Sequence, residues 1–369
     1  MRQGAKSGAL SRMPLGASVF ATKFPRRRTR TRKNNARVRC PVLSVPWARF
    51  GSVGPSKAAT GPSSNGRTDM KNIVARTGVT ALLALVAAAI SVPQTQAATI
   101  SVDCDPPASE TINGVLDAAA EDDVIEVSGT CNEAVSIRKD RIRLDGLGGA
   151  EGLGGAKIIV PSGTGDSAVS IRGDFVTIEG FSAIIGDRHG ISVGGSSNVT
   201  IRDNTIKDSV RHTIILTSNA SANIINNLIT NSGFHGIRVS RGANARIGDN
   251  TVTQSAGNGI QLSVAASGEI FGNTVTDNGR HGISVSQNAG VRLSGGPPGT
   301  GNPNVLERNG RSGLSCSTGG SLDIDTAQVF GTGADANATG DTSITETCVI
   351  TGDAAESLAE FKPEKLIKK

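Results

Sequence analysis

The stretch His189-Gly-Ile-Ser-Val-Gly-Gly-Ser-Ser-Asn-Val-Thr-Ile-Arg-Asp-Asn-Thr-Ile206 decides the fold because it comes back. His212-Thr-Ile, His235-Gly-Ile, Asn258-Gly-Ile and His281-Gly-Ile each begin 23 residues after the last, and Ser312-Gly-Leu follows after 31. Within one repeat, Ile191 and Val193 mark a first short strand, Val199 and Ile201 a second and Ile206 a third, with Gly, Ser, Asn and Asp between them. This is the period-two alternation of half-buried strands. The phases stay apolar down the array, as in Ile191, Ile214, Ile237, Ile260, Ile283 and in Ile201, Ile224, Ile247, Ile270, Leu293. Three short strands per repeat predict an all-β coil of parallel strands. One rung alone buries too little apolar surface to offset the entropy of ordering it, so the rungs must stack.

A second column fixes one corner. Asn204, Asn227, Asn250, Asn273 and Asn304 share a phase between the second and third strands. Asn tolerates a left-handed bend, and stacked amides pass hydrogen bonds from rung to rung, so these residues read as structural. The insertion around Gly295-Gly-Pro-Pro-Gly299 falls just before Asn304 and is expected to bulge from that corner without offering an ionisable group.

The pattern G-I-x-V … N-V-T-I-x-x-N-x-I of Gly190 to Ile206 resembles the right-handed parallel β-helix repeat of the pectin-lyase-like superfamily. The stretch Thr111-Ile-Asn-Gly … Val124-Ile-Glu-Val … Gly129-Thr-Cys-Asn-Glu133-Ala-Val is similar to the entry helix and first rungs of those proteins. The resemblance covers roughly Ile100 to Val349 and implies a solenoid with a short N-terminal capping helix. The superfamily includes pectate lyases, polygalacturonases, alginate epimerases, a copper-enzyme maturation factor, tailspikes and adhesins, so the fold alone assigns no activity. An enzyme of this kind would be a polysaccharide lyase, hydrolase or epimerase. Arg188-His189-Gly-Ile-Ser-Val-Gly194 is similar to the His-Gly element of polygalacturonases, but their carboxylate elements are missing, as is the epimerases' Asp-Pro-His-Asp. After position 97 the chain has no Tyr to serve as a lyase acid, and the lack of Trp and Tyr removes the usual platforms for sugar rings.

The ends of the chain frame the array. Residues 1–69 carry 15 of the 38 Lys and Arg residues and one acid, Asp69, so after position 97 there remain 21 bases and 31 acids. The overall positive charge belongs to the leader, and the repeat domain, being acidic, is not expected to bind nucleic acid. Met70 to Ala97 reads as an export signal: a basic start, an apolar run from Val79 to Val92, and small residues at Thr95-Gln-Ala97. Residues 1–69 are then a disordered basic extension of the reading frame, and no stable membrane span is expected. The remaining divisions are a cap with irregular first rungs (98–160), the repeats (161–330), and a C-terminal cap and tail (331–369). Cys104, Cys131, Cys316 and Cys348 lie two at each end, which favours pairing Cys104 with Cys131 and Cys316 with Cys348 in a secreted or periplasmic protein.

Chemistry concentrates in one phase. All four histidines, His189, His212, His235 and His281, occupy it, and Arg188, Arg211 and Arg280 precede three of them. Asp187, Arg188, His189, Arg211 and His212 form the candidate catalytic group, with an Asp187/His189 pair as general base. His235, Arg280 and His281 extend it as a strip for an extended anionic polysaccharide. The alternative is a corner residue copied by duplication, with the rings turned inward by parity with Ile191. Asn258 interrupts the histidines, so no metal site is assigned and no cofactor is predicted, though Asp203, Asn226 and Asp249 form a turn column of the kind that holds calcium. Outward positions of the first strand, Ser192, Ile215, Arg238, Gln261 and Ser284, look bland. The competing class is a non-enzymatic surface or adhesive protein using the flat Thr-rich face of Thr205, Thr251, Thr253, Thr274 and Thr276.

Overall fold

The computed structural model describes residues 97–106, 110–147, 155–295, 302–325, 328–332 and 335–352. The basic leader, the expected export signal apart from Ala97, most of the Gly146–Gly155 link, most of the Gly295–Gly299 insertion and the tail beyond Gly352 lie outside them. The described residues form a right-handed parallel β-helix of three parallel sheets, of 9, 11 and 9 strands, built from the first, second and third strands of each rung respectively. Ile191–Gly194, Val199–Arg202 and Thr205–Lys207 are the three strands of the quoted stretch. Pairing runs in repeat register, with Ile191 opposite Ile214, Ile237, Ile260, Ile283 and Leu314 in successive rungs. Alternate residues point inward, so these aliphatics and those of the Ile201 and Ile206 phases are fully buried in one continuous core.

The open N-terminal end is covered by one helix, Ile112–Ala118. It starts there because the Thr111 hydroxyl accepts from the Gly114 N–H, while the Glu133 carboxylate accepts from Ile112 N–H at 2.7 Å. Ile112 and Leu116 form its buried face, and Ala119, the residue that caps its C-terminal end, is buried beside them. The disulfides Cys104–Cys131 and Cys316–Cys348 tie the first and last rungs.

The asparagine column is continuous. Nδ2 of Asn204 donates to Oδ1 of Asn227 at 3.1 Å, and the same bond joins Asn227 to Asn250, Asn250 to Asn273 and Asn273 to Asn304. Each of the first four Nδ2 groups also donates to the carbonyl two residues before it, closing the turn. A second ladder, absent from the sequence reading, runs after the third strand: Asn278 to Asn309 to Asn337, each at 3.0 Å. Its lower rungs carry Ser209, Ser232 and Ser255 in the same phase, a change of residue type that hides the column from a pattern of identities.

Candidate functional site

The histidine column lies at the start of the first strands, and its rings turn inward: His189, His212 and His235 are buried and His281 is half-buried. The rings of His189 and His212 stack at 5.3 Å, and those of His212 and His235 at 5.2 Å. Nδ1 of His189, His235 and His281 accepts the backbone N–H of the next rung, from His212, Asn258 and Ser312. Asn258 does not break the column, because its Oδ1 does the same work, accepting from His281 N–H at 3.1 Å. A ring whose Nδ1 accepts must carry its proton on Nε2, so these three present neutral N–H donors.

Burial holds the rings neutral. It lowers the pKa of His189 and His235 to about 4 and of His212 to about 2, with neighbouring arginines and, for His212, the flanking histidines adding to the shift. His212 differs from the rest. Its Nδ1 has no partner, and its Nε2 lies 3.3 Å from Nη1 of Arg238, which can only donate. The proton of His212 therefore belongs on Nδ1.

Arg238, read from sequence as a bland outward position, stands at the middle of the candidate site, against His212 and between Arg211 and Arg241. It is half-buried on strand Ile237–Ser240, its Nε has no hydrogen-bond partner, and its pKa is lowered by burial and by Arg241 and Arg211 beside it. Gln261 stands opposite it in the next rung, with its side chain at the His235 imidazole. Among the described residues, the arginines divide by face. Arg143, Arg202, Arg246 and Arg292 on the second-strand sheet, and Arg141 and Arg308 on turns, all pair with carboxylates. No carboxylate of the described residues lies within ion-pair distance of Arg188, Arg211, Arg238, Arg241, Arg280 or Arg311. These border or occupy the first-strand sheet, so that face presents uncompensated positive charge on an otherwise acidic domain.

The other candidates are accounted for locally. Asp187 is not paired with His189: its carboxylate accepts from Gly165 N–H at 2.5 Å, and the backbone amides of Gly165, Gly163 and Thr164 lower its pKa. Asp208, on the turn that precedes Arg211 and His212, accepts from Asn231 Nδ2 at 2.6 Å. In the turn column, Asn226 Nδ2 donates to Asp203 at 2.7 Å, and Asp203, Asn226 and Asp249 all take positive φ, a conformation that Asn and Asp bear well. Among the described residues, the one grouping of three metal-ligand types is Cys104, Cys131 and Glu133, and its two cysteines are joined in a disulfide. A groove of about 660 Å³ on the second-strand sheet is lined by Arg246, Glu269, Arg292 and Asp323; Arg246 pairs with Glu269, Arg292 pairs with Asp325, and Asp323 accepts from the Thr351 hydroxyl. No helix among the described residues is long and apolar enough to cross a membrane.

Residues 189–350 match the family described as right handed beta helix region. No curated protein matches the sequence. Among solved structures, the chain is similar to an alginate lyase from Paenibacillus sp. str. FPU-7, at 15% identity over 68% of this chain and 99% of that one, with a TM-score of 0.45. It is also similar to DFA-IIIase from Arthrobacter chlorophenolicus A6 without its lid, at 15% identity over 69% and 89% of the two chains and a TM-score of 0.42. The periplasmic alginate epimerase AlgG is similar at 15% identity over 62% of each chain, with a TM-score of 0.33. At such identities the likeness is one of fold. The family match and the three parallel sheets together make this a right-handed parallel β-helix repeat protein.

Proposed function

We propose that the first-strand face binds an extended anionic polysaccharide outside the cytoplasm. The observation that carries this reading is Arg238, half-buried with an unpartnered Nε between Arg211 and Arg241 and with no carboxylate in reach. A guanidinium held against like charges costs stability, and an anionic ligand would offset that cost. Arg188, Arg280 and Arg311 carry the same charge along the stack, where rungs about 4.8 Å apart suit a repeating polymer better than a small molecule. The neutral Nε2–H groups of His189, His235 and His281 are suited to accompany them as donors.

The reading is one of binding. Turnover by elimination or epimerisation needs a base, and His212 holds a lone pair too weakly basic for that work, while Asp187 is committed to its loop. Export is supported by the two disulfides. The Thr-rich face of the third-strand sheet, where Thr251 and Thr274 pair in register beside an exposed Leu228, keeps a purely adhesive role as the second reading.

Calorimetric titration of the purified chain with polyuronates and with neutral glycans tests the proposal, with unsaturated or reducing ends followed in parallel. Salt-sensitive binding to the polyuronates alone, weakened in Arg211→Ala and Arg238→Ala, is the expected result. Binding to neither class in folded protein favours the adhesive role instead.

A further inference from the structure

The column beside the histidines reads Arg188, Arg211, Phe234, Gly257, Arg280, Arg311, so four cations flank one phenyl ring and one gap. Backbone bonds from Arg211 N–H to Arg188 O and from Phe234 N–H to Arg211 O, at 2.8 and 2.7 Å, keep the lower members in line. Phe234 remains 36% exposed. Its ring is nonetheless fixed from behind, with centroids 4.0 Å from His235 and 5.4 Å from His212, while the Arg280 guanidinium lies 5.8 Å from its centre. The rung above it carries no side chain. A Cβ on Gly257 would fall 2.6 Å from both Phe234 O and His235 Nδ1, so that position is held to glycine and no side chain of that column rises between Phe234 and the more distant Arg280 guanidinium.

An exposed aromatic ring braced by buried imidazoles, in the middle of an unpaired arginine column, is a poor surface residue and a good platform. We propose that Phe234 is the stacking platform of a uronate subsite, with one sugar ring lying on the phenyl face at the Gly257 gap and its carboxylate reaching Arg280 or Arg211. This rests on the polysaccharide reading above and narrows it to polyanions built from rings. The axial C–H face of a pyranose is apolar and matches the negative face of the phenyl quadrupole, whereas a chain without rings gains only the arginine contacts. Since one rung in six carries the ring, it also sets where along the polymer the strip engages.

The test titrates the full chain, as wild type, Phe234→Ala and Phe234→Leu, with a short oligo-uronate and with polyglutamate of equal charge at one ionic strength. Wild type is expected to prefer the uronate. Both variants should bind it about tenfold more weakly, a loss of about 1.4 kcal/mol, and bind polyglutamate as before. Leucine keeps apolar packing on His235 without a flat ring, so it remains informative if alanine disturbs the fold, and melting curves identify that case. An unchanged uronate affinity, or an equal loss toward both ligands, overturns the platform. Wild type that binds neither ligand overturns the strip itself, and the platform with it.

Discussion

Nη1 of Arg238 lies 3.3 Å from Nε2 of His212, one rung below, so the outward face of one strand meets the buried column of another. An arginine in contact with a neutral ring rather than a carboxylate receives a hydrogen-bond acceptor but no counter-charge. The pair links the stability of the stack to the charge of the candidate site, and the two can be separated by mutation.

Replacing Arg238 by Gln should therefore raise stability or leave it unchanged while weakening polyuronate binding. Removing a guanidinium crowded by Arg211 and Arg241 relieves repulsion of about 0.5–1 kcal/mol, whereas a lost charge-assisted bond to ligand costs about 1.5–3 kcal/mol. Thermal melting and calorimetry on the same preparation read both effects. A variant that melts earlier would mean Arg238 is a structural residue.

Acid should loosen the stack through the histidines. Their folded pKa values, about 4 for His189 and His235 and about 2 for His212, lie below the unfolded value near 6.5. Below that value the unfolded chain binds more protons, so stability is fully present above pH 6.5 and falls as pH drops toward 4, by about 1 kcal/mol per pH unit per histidine. Denaturant midpoints across this range check the slope. His212→Asn, which copies the residue at Asn258, should flatten it.

Asn250→Asp should be worse than Asn250→Ala. The Asn250 amide donates to Ile224 O, Gly248 O and Asn273 Oδ1, and a carboxylate would face those three oxygens without a proton to share. Alanine should cost about 3 kcal/mol through stranded partners. Because each rung depends on its neighbours, chemical unfolding of either variant should lose its single sharp transition.

Val264→Asn should stabilise the chain. Val264 is 41% exposed and holds φ at 56°, a left-handed conformation that a β-branched residue adopts at a cost of about 1–2 kcal/mol. Ser218, Arg241 and Gln287 fill the same turn position with residues that bear it better. A rise of a few degrees in melting temperature is expected; an unchanged value would show that the turn does not limit stability.

Much of the coil was legible because its evidence is periodic. Ile191 and its successors, the Asn204 ladder and the two disulfide pairs all follow from counting residues, since a strand alternates its faces by geometry and a repeat places each copy above the last. Asp187 and His189 looked like a pair for the same reason, being two residues apart. The loop at Gly163–Gly165 that takes the Asp187 carboxylate is 22 residues away by its hydrogen bond and leaves no mark in the local pattern. Ser209, Ser232 and Ser255 likewise hid the ladder that Asn278 continues.

The solenoid and its register were already readable in the chain, because each depends on a period that one rung repeats to the next, whereas parity with Ile191 left the inward turn of the histidines as one of two readings until their burial was seen. It took the folded molecule to show that Arg238 meets His212, that Phe234 stands braced against His235 beside Gly257, and that one face keeps its arginines without carboxylate partners. Those relations join side chains of different rungs and different columns. Their distances are set by how the stacked strands bring separate repeats together, which no single repeat encodes.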